Sequence, residues 1–351
     1  MSDIFFPQRY KELAAEYDGM TLCRVVLQEK GMYRVAGEFG ERRASVSGKL
    51  RYSAVTPTDY PAVGDYVMAS DDGGMAVIRH VLPRKSVFIR KAAGRVMIGQ
   101  VVAANVDTLF ICMALNNDFS IRRLERYMAV ARESGAEPVV VLTKADLCDT
   151  LDDMVKKVRD VAAGADIVVT CAFEENGYAC IAPYISAGKT VAFVGSSGVG
   201  KSTLINRLLG EDRLDTGGLR NDDKGHHTTT HREILQLDSG AAVIDTPGMR
   251  ELGMWGADEG IQATFADIES LASKCRFNNC THGNEPGCAV RSALESGELS
   301  AERWQSYRKL AAENARVKDM GSIIAAKEKK FKTISKMNKA NKSNRSIKVR
   351  A

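Results

Sequence analysis

A glycine-rich run from Gly195 to Ser202 has the spacing G-x-x-x-x-G-K-S. A triphosphate needs several backbone N–H donors converging on it, and a glycine-rich turn ahead of a helix N-terminus supplies them without steric clash. Lys201 then brings a positive charge to the β- and γ-phosphates, and the Ser202 hydroxyl is placed to ligate Mg²⁺. The predicted phosphate-binding residues are Gly195, Ser196, Ser197, Gly198, Val199, Gly200, Lys201, Ser202 and Thr203.

A second motif, Thr143-Lys144-Ala145-Asp146, matches the chemistry of a guanine base. A carboxylate at Asp146 accepts hydrogen bonds from guanine N1–H and the exocyclic amine, while the Lys144 stem covers the ring. Adenine presents an acceptor at N1, so the same carboxylate disfavours ATP. The predicted base-binding residues are Thr143, Lys144 and Asp146, together with Thr170, Cys171 and Ala172, which follow a β-rich run.

The segment after the phosphate loop carries further groups for the metal side of the site. Asp245-Thr246-Pro247-Gly248 ends an apolar run, as the acidic element of a P-loop enzyme does. We expect Asp245 to hold Mg²⁺ through water and the Gly248 N–H to contact the γ-phosphate. In the polar loop 214–232, Thr228 or Thr229 is predicted to close on Mg²⁺ in the triphosphate state. The alternative is a solvated loop whose threonines have no such role.

The order of these motifs is informative. The base-reading residues precede the phosphate loop by about 50 positions, whereas in an ordinary GTPase they follow it. The apolar runs Asp107–Leu115, Pro138–Leu142 and Thr190–Val194 are typical of buried parallel strands. Each motif comes at the end of such a run, where open α/β sheets bind ligands. The sequence therefore predicts a circularly permuted P-loop GTPase domain.

The group that orients the attacking water is less clearly marked. Met249 follows Gly248, at a position where many GTPases carry glutamine, and a thioether is only a weak acceptor. Slow intrinsic hydrolysis is therefore expected. His227, beside the loop threonines, is the predicted catalytic residue; the alternative is a histidine that is solvated or contacts RNA.

Three of the eight cysteines cluster with a histidine in the pattern Cys275-x4-Cys280-x-His282-x5-Cys288. Three thiolates and one imidazole favour tetrahedral Zn²⁺, and a closed set of four ligands leaves no open position for catalysis. The predicted metal is structural. The alternative is a set of reduced cysteines without metal.

Around these motifs the chain divides by pattern. Short β-rich runs separated by Gly, Pro and Asp turns fill the region from Thr21 to about Lys91 and fit an OB-type barrel, with a small β-sandwich as the alternative. The run 121–134 has helical spacing, and helical segments around 261–272 and 301–317 flank the cysteine cluster. The predicted fold is multidomain: N-terminal arm 1–20, OB-type β-barrel 21–95, α/β circularly permuted GTPase domain 96–255, zinc-binding helical domain 256–320 and basic tail 321–351.

Composition narrows the class of protein. The 351 residues are 44% hydrophobic and 26% charged, as in a soluble multidomain protein. Residues 321–351 hold ten Lys and Arg and one Glu, so the rest of the chain carries −4 although the whole carries +5. Such a tail is either solvated or an electrostatic footprint for phosphate backbones. No apolar stretch is long enough for a membrane span or signal peptide, so a cytoplasmic protein without membrane contact is expected. We also expect a monomer.

This arrangement of motifs, with His227-Thr228-Thr229-Thr230 between the phosphate loop and Asp245, resembles the RsgA (YjeQ) family over roughly residues 20–320. The resemblance implies a GTP hydrolase of late small (30S) ribosomal subunit maturation, stimulated by the subunit, with GTP or GDP, Mg²⁺, structural Zn²⁺ and ribosomal RNA as ligands. Two positions depart from the family pattern: His226 replaces a common arginine, and Cys171 a common serine.

Two other functions remain open on the sequence. An RNA-binding assembly factor would use GTP only as a conformational lock, which the Met249 position allows. A P-loop ATPase or kinase is disfavoured by Asp146. Turnover with and without small subunits separates the first alternative from a subunit-activated enzyme.

Overall fold

The computed structural model describes residues 6–29, 31–71, 73–91, 99–171, 177–214, 232–245 and 255–317. The arm contains a short helix, α1, Gln8–Ala14. Its Tyr10 stacks on Tyr66 of the following domain with ring centroids 3.9 Å apart, and it is 3% exposed. This contact fixes the arm against the barrel described next.

Five strands close into the predicted OB-type barrel. They are β1 Thr21–Glu29, β2 Met32–Gly37, β3 Gly40–Val46, β4 Tyr66–Asp71 and β5 Ala76–Val81. The order is β1-β2-β3-β5-β4, and β4 returns to pair with β1. That closing pair distinguishes a barrel from a sandwich, because a sandwich keeps its edges open. Helix α2, Gly48–Ser53, lies between β3 and β4 in the chain.

A two-stranded antiparallel hairpin follows the barrel, and it was not anticipated from the sequence. Its strands are β6, Val87–Lys91, and β7, Gly99–Ala104. The predicted boundary between residues 95 and 96 falls in 92–98, outside the described residues. Gly99 lies so close to the Trp255 indole that a Cβ there would come within 2.7 Å of the ring.

Six strands are described in the α/β domain, and they include the three apolar runs named in the sequence analysis. They are β8 Thr108–Ala114, β9 Glu137–Thr143, β10 Asp166–Val169, β11 Thr190–Val194, β12 Arg232–Gln236 and β13 Ala242–Asp245. Their order is β10-β9-β8-β11-β13-β12; all pairs are parallel except β13 with β12. The strand before the phosphate loop, β11, lies between β8 and β13, so groups from both sides converge on its end.

Three helices cover this sheet: α3 Ile121–Ser134, α4 Leu151–Val161 and α5 Lys201–Leu209. Helix α3 coincides with the predicted helical run. The Ser120 side chain accepts a hydrogen bond from the Arg123 N–H at its start, and left-handed Gly135 ends it.

The described C-terminal helices are α6 Asp258–Thr264, α7 Ala266–Ala272, α8 Ala289–Ser296 and α9, 301–317. The helical run predicted around 261–272 is therefore two short helices that meet at fully buried Phe265. Helix α6 approaches α3 closely at Gly260, where a Cβ would lie 2.0 Å from the Ala129 carbonyl oxygen.

Charged groups fix the C-terminal helices to α3. Glu125, 1% exposed, accepts hydrogen bonds from Arg303 at 2.8 Å and from the Ser306 hydroxyl. Arg126 forms a two-point pair with Glu313 at 2.7 and 2.6 Å. A buried carboxylate is tolerated when such partners satisfy it, and loss of one partner is costly. Helix α3 is thus the shared wall between the sheet and the C-terminal helices.

The barrel joins the α/β sheet through one short pairing. Strand β1 pairs with β12 at Leu27 with Glu233 and at Gln28 with Arg232, which makes eleven strands continuous. Strand β12 directly follows residues 215–231, which include His227 and the threonines and lie outside the described part of the chain. Among the described helices, none has the length and apolar character needed to cross a membrane.

Candidate nucleotide site and metal centre

The phosphate loop lies between β11 and α5, as its spacing predicts. Gly195, Gly198 and Gly200 have φ of 147°, 73° and 100°, which favour glycine. At Gly195 a Cβ would also lie 2.5 Å from the Cys112 carbonyl oxygen of β8. The loop is therefore packed against the neighbouring strand, and any larger residue at Gly195 meets both strain and a clash.

Lys201, the first residue of α5, points back along this loop. Its Nζ donates to the carbonyl oxygens of Gly195 at 2.7 Å and Ser196 at 2.5 Å, and the residue is only 9% exposed. A buried ammonium held by two carbonyl oxygens is pre-positioned for phosphate oxygens. Ser202 and Thr203 follow in the first turn of the same helix, at its positive end.

The base-reading motif begins at the carboxyl end of β9. Lys144 adopts a left-handed backbone with φ of 57°, and a 3₁₀ turn, Ala145–Leu147, follows. Non-glycine residues in this region are uncommon and concentrate at functional sites. The Asp146 side chain is left exposed and accessible to a base.

A buried hydrogen bond joins the base-reading motif to the phosphate loop. The Thr143 hydroxyl donates to the Val199 carbonyl oxygen at 2.6 Å, although 56 positions separate the two residues. The Leu115 N–H donates to the Thr143 carbonyl oxygen at 2.9 Å, which ties the ends of β8 and β9 together. These bonds bring the predicted base-binding and phosphate-binding residues next to each other despite the reversed chain order.

The third predicted base loop reaches the same place. The Cys171 thiol is buried and donates to the Asp146 carboxylate at 3.4 Å, and the Thr170 N–H donates to the Leu142 carbonyl oxygen at 2.8 Å. Cysteine thus makes the contact to Asp146 that a hydroxyl would make more strongly, since a thiol is a weak donor.

One residue of this site was missed from the sequence. Asp118, between β8 and α3, accepts hydrogen bonds from the Ser196 hydroxyl and, at 2.8 Å, from Arg123 of α3. These two bonds hold the pKa of Asp118 below its usual value. The polar run Asn116-Asn117-Asp118 directly after a buried strand was the available signal.

Several predicted residues cannot be placed by geometry. Asp245 is the last residue of β13, the strand that pairs with β11, and it lies at the same edge of the sheet as the phosphate loop. The remaining predicted site residues lie outside the described part of the chain: Ala172, His227, Thr228, Thr229 and Gly248.

The cysteine cluster forms a compact metal-ligating group. The ligand atoms of Cys275, Cys280, His282 and Cys288 all lie within 4.8 Å of one another. Distances to His282 Nδ1 are 3.5 Å from Cys275 Sγ and 3.6 Å from Cys288 Sγ, and the two sulfurs are 4.0 Å apart. A tetrahedron with Zn–S bonds of about 2.3 Å has ligand sulfurs about 3.8 Å apart, so the cluster fits zinc.

The surrounding residues hold these ligands in place. His282 has φ of 59°, and its ring packs edge-on against Trp304 of α9 with centroids 5.7 Å apart. The Glu285 carboxylate accepts the N–H groups of Thr281 at 2.9 Å and Gly283 at 2.8 Å. Hydrogen bonds from Thr281 lower the pKa of Glu285 to about 2, so it stays ionised and braces the turn.

Comparison with known proteins identifies relatives over most of the chain. The family model for the RsgA GTPase matches residues 81–255. A protein of Lactiplantibacillus plantarum named small ribosomal subunit biogenesis GTPase RsgA 2 is 52% identical over 299 residues, 84% of each chain. A protein of Opitutus terrae named small ribosomal subunit biogenesis GTPase RsgA is 47% identical over 325 residues, 89% of this chain and 88% of its own.

Two solved structures share the fold. YjeQ from Thermotoga maritima superimposes with a TM-score of 0.61 and 29% identity, covering 83% of this chain and 97% of its own. YloQ, described as a circularly permuted GTPase, gives a TM-score of 0.59 and 25% identity, covering 86% and 96%. Both cover most of this chain, and the description of YloQ as circularly permuted agrees with the reversed order of the motifs.

Proposed function

This chain belongs to the RsgA GTPase family and hydrolyses GTP, and from that premise we propose that it acts in late maturation of the small ribosomal subunit, which stimulates its turnover. The role in small-subunit maturation is inferred from the names of these relatives. The observation that supports one nucleotide site best is the buried hydrogen bond from Thr143 to the Val199 carbonyl oxygen. This bond holds the proposed base-binding residues against the proposed phosphate loop, although the base-binding residues come first in the chain.

In the proposed complex, the phosphate loop from Gly195 to Thr203 surrounds the phosphates through its N–H groups. Lys201 binds the β- and γ-phosphates, and Asp146 reads guanine with Lys144 over the ring and 170–172 behind it. The Thr143 bond and the contact of Cys171 with Asp146 favour these roles. Mg²⁺ would be held by Ser202, by Asp245 through water and by Thr228 or Thr229, with Gly248 at the γ-phosphate.

For the metal centre we propose one structural Zn²⁺ on Cys275, Cys280, His282 and Cys288. The sulfur and nitrogen spacings support that metal. The ion would connect the turn 275–288 to α9 through the His282–Trp304 contact. We also propose that the chain has the segment limits predicted from the sequence, that it is a monomer and that it is located in the cytoplasm.

The decisive experiment measures GTP turnover with and without purified small subunits. A subunit-activated hydrolase should accelerate many-fold, whereas an assembly factor that uses GTP as a lock should bind subunits with unchanged turnover. Large subunits at equal concentration are the control. Equal rates in all three conditions would contradict the proposed activation.

Replacing His227 by alanine should reduce stimulated turnover by about 100-fold or more, in the range lost with a general acid–base or water-orienting group. GTP affinity should change little, because the phosphate loop and Asp146 carry binding. Single-turnover rates with subunits and nucleotide affinity by fluorescence titration separate the two effects. His226→Ala is the matched control, and normal stimulated turnover in His227→Ala would exclude the catalytic role.

Deleting residues 327–351 should weaken subunit binding, because the positive charge of the tail attracts RNA phosphates. GTP binding should stay intact. Each lost phosphate contact should reduce the slope of log affinity against log salt by somewhat less than one. Equal affinity and slope for truncated and full-length protein would identify the tail as a solvated appendage.

A further inference from the structure

Asp118 lies where the phosphate loop meets helix α3, and none of the roles proposed above uses it. It follows β8 in the polar run Asn116-Asn117-Asp118, and α3 begins at Ile121. Its carboxylate accepts a hydrogen bond from the Ser196 hydroxyl of the phosphate loop. The two residues are 78 positions apart in the chain, so this contact depends on the packing of α3 against the loop.

Arg123, in the first turn of α3, holds the same carboxylate from the other side. Its Nη1 donates to Asp118 Oδ2 at 2.8 Å and to the Asp118 carbonyl oxygen at 3.3 Å. The Asp118 N–H donates to the Asn116 side-chain oxygen at 3.0 Å, which fixes the backbone as well. Because hydrogen bonds from Arg123 and then from Ser196 hold the pKa of Asp118 below its usual value, the acceptor stays ionised.

The contact acts on the phosphate loop through Ser196. While the Ser196 side chain is held by Asp118, its carbonyl oxygen accepts from Lys201 Nζ at 2.5 Å. The same ammonium donates to the Gly195 carbonyl oxygen at 2.7 Å. Gly195 and Gly198 lie on either side of Ser196, and glycine leaves the backbone many accessible conformations. A bond from Ser196 to a residue outside the loop therefore limits rotation of the peptide that holds the lysine.

Charge argues against a direct role for Asp118 in binding phosphate. A carboxylate repels phosphate oxygens, and the Asp118 side chain is 43% exposed beside the loop. Its charge by itself would lower nucleotide affinity, although the ion pair with Arg123 offsets part of the repulsion. Charge and hydrogen bonding thus predict opposite results when the side chain is removed: loss of the charge tightens nucleotide binding, and loss of the bond to Ser196 weakens it.

We propose that Asp118 is a positioning residue for GTP and GDP, which fixes Ser196 and thereby keeps the Lys201 ammonium where the β- and γ-phosphates bind. The inference rests on the phosphate site proposed above and adds to it a residue from outside the loop. The effect belongs to the hydrogen bond and not to the charge. Any side chain at 118 that accepts from the Ser196 hydroxyl therefore preserves it.

The test compares Asp118→Ala with Asp118→Asn in the full-length protein with Mg²⁺. Affinities for GTP, GDP and GMP are measured by competition with a fluorescent GDP. Asp118→Ala should weaken GTP and GDP binding by about tenfold, in the range of one hydrogen bond to a charged group. GMP binding should be unchanged, because GMP has no β-phosphate. Asp118→Asn should bind GTP and GDP at least as tightly as the wild type, since its side-chain oxygen still accepts from Ser196 and the charge is gone.

Ser196→Ala removes the donor of the same bond, so it should weaken GDP binding as much as Asp118→Ala does. The double variant should show no further loss, because both changes remove one interaction. Glu41→Ala is the matched control, since Glu41 is an exposed carboxylate of the barrel that lies 3.7 Å from Arg34. It should bind all three nucleotides as the wild type does.

Unchanged or tighter GDP binding in Asp118→Ala would overturn the proposal, because repulsion would then be the larger effect. Equal losses in Asp118→Ala and Asp118→Asn would also overturn it, as would an equal loss for GMP or additive losses in the double variant. Lys201→Ala in the same titration separates this inference from the site on which it rests. If Lys201→Ala binds GTP and GDP normally, the proposed phosphate site fails; if it loses binding while Asp118→Ala does not, only the role of Asp118 fails.

Discussion

Asp146→Asn is expected to lower GTP affinity by about 100-fold or more, because two charge-assisted hydrogen bonds to guanine are lost together. The asparagine amide offers one donor and one acceptor, which match the N1–H and 2-carbonyl of xanthine. Affinity for xanthosine triphosphate should therefore rise relative to GTP. Stimulated turnover at subsaturating nucleotide concentrations should show the same change of base preference.

The measurement is a fluorescence titration with labelled GTP, competed by XTP and ATP. Asp149→Asn is a matched control, since Asp149 is exposed a few positions beyond the motif. It should bind GTP as the wild type does. Unaltered GTP affinity in Asp146→Asn would show that 143–146 is not the base-reading element, whatever the turnover.

Cys280→Ser is expected to remove most of the bound Zn²⁺, where the wild type holds about one per chain. Metal binding in a closed site contributes directly to folding, so the turn 275–288 should lose protection from hydrogen exchange. The C-terminal helices should loosen next, because His282 packs on Trp304 of α9. The sheet and the nucleotide site should remain folded, since Thr143 and Lys201 make their contacts independently of the cluster.

Three measurements on one preparation test these effects separately. Elemental analysis gives the metal content, hydrogen-exchange mass spectrometry gives the loosening of the C-terminal region, and GTP binding reports on the nucleotide site. Cys148→Ser is the control, because Cys148 lies outside the cluster and should leave the metal in place. Wild-type protein without metal, or a Cys280→Ser variant with full metal content, would contradict the ligand assignment.

Sequence patterns predicted the helices and strands that are specified by residues close together in the chain. The five barrel strands, α3 and the strands flanking the motifs are runs of apolar periodicity bounded by turn residues, and the described structure contains each of them. The β6–β7 hairpin was missed because Gly99–Ala104 lacks polar alternation and depends on packing by Trp255. Likewise, the break between α6 and α7 at Phe265 depends on burial, which no local pattern encodes.

The chemistry of the contiguous motifs can be read from the order of their residues. The phosphate loop and the Cys275–Cys288 cluster each lie within fourteen residues or fewer, so their spacing alone restricts the geometry they can form. Contacts between distant groups become visible only in the folded chain: Thr143 with Val199, Asp118 with Ser196, Glu125 with Arg303 and β1 with β12. The physical reason is that these contacts exist only after the sheet, α3 and the barrel have packed, because each joins chain positions that local conformation leaves independent.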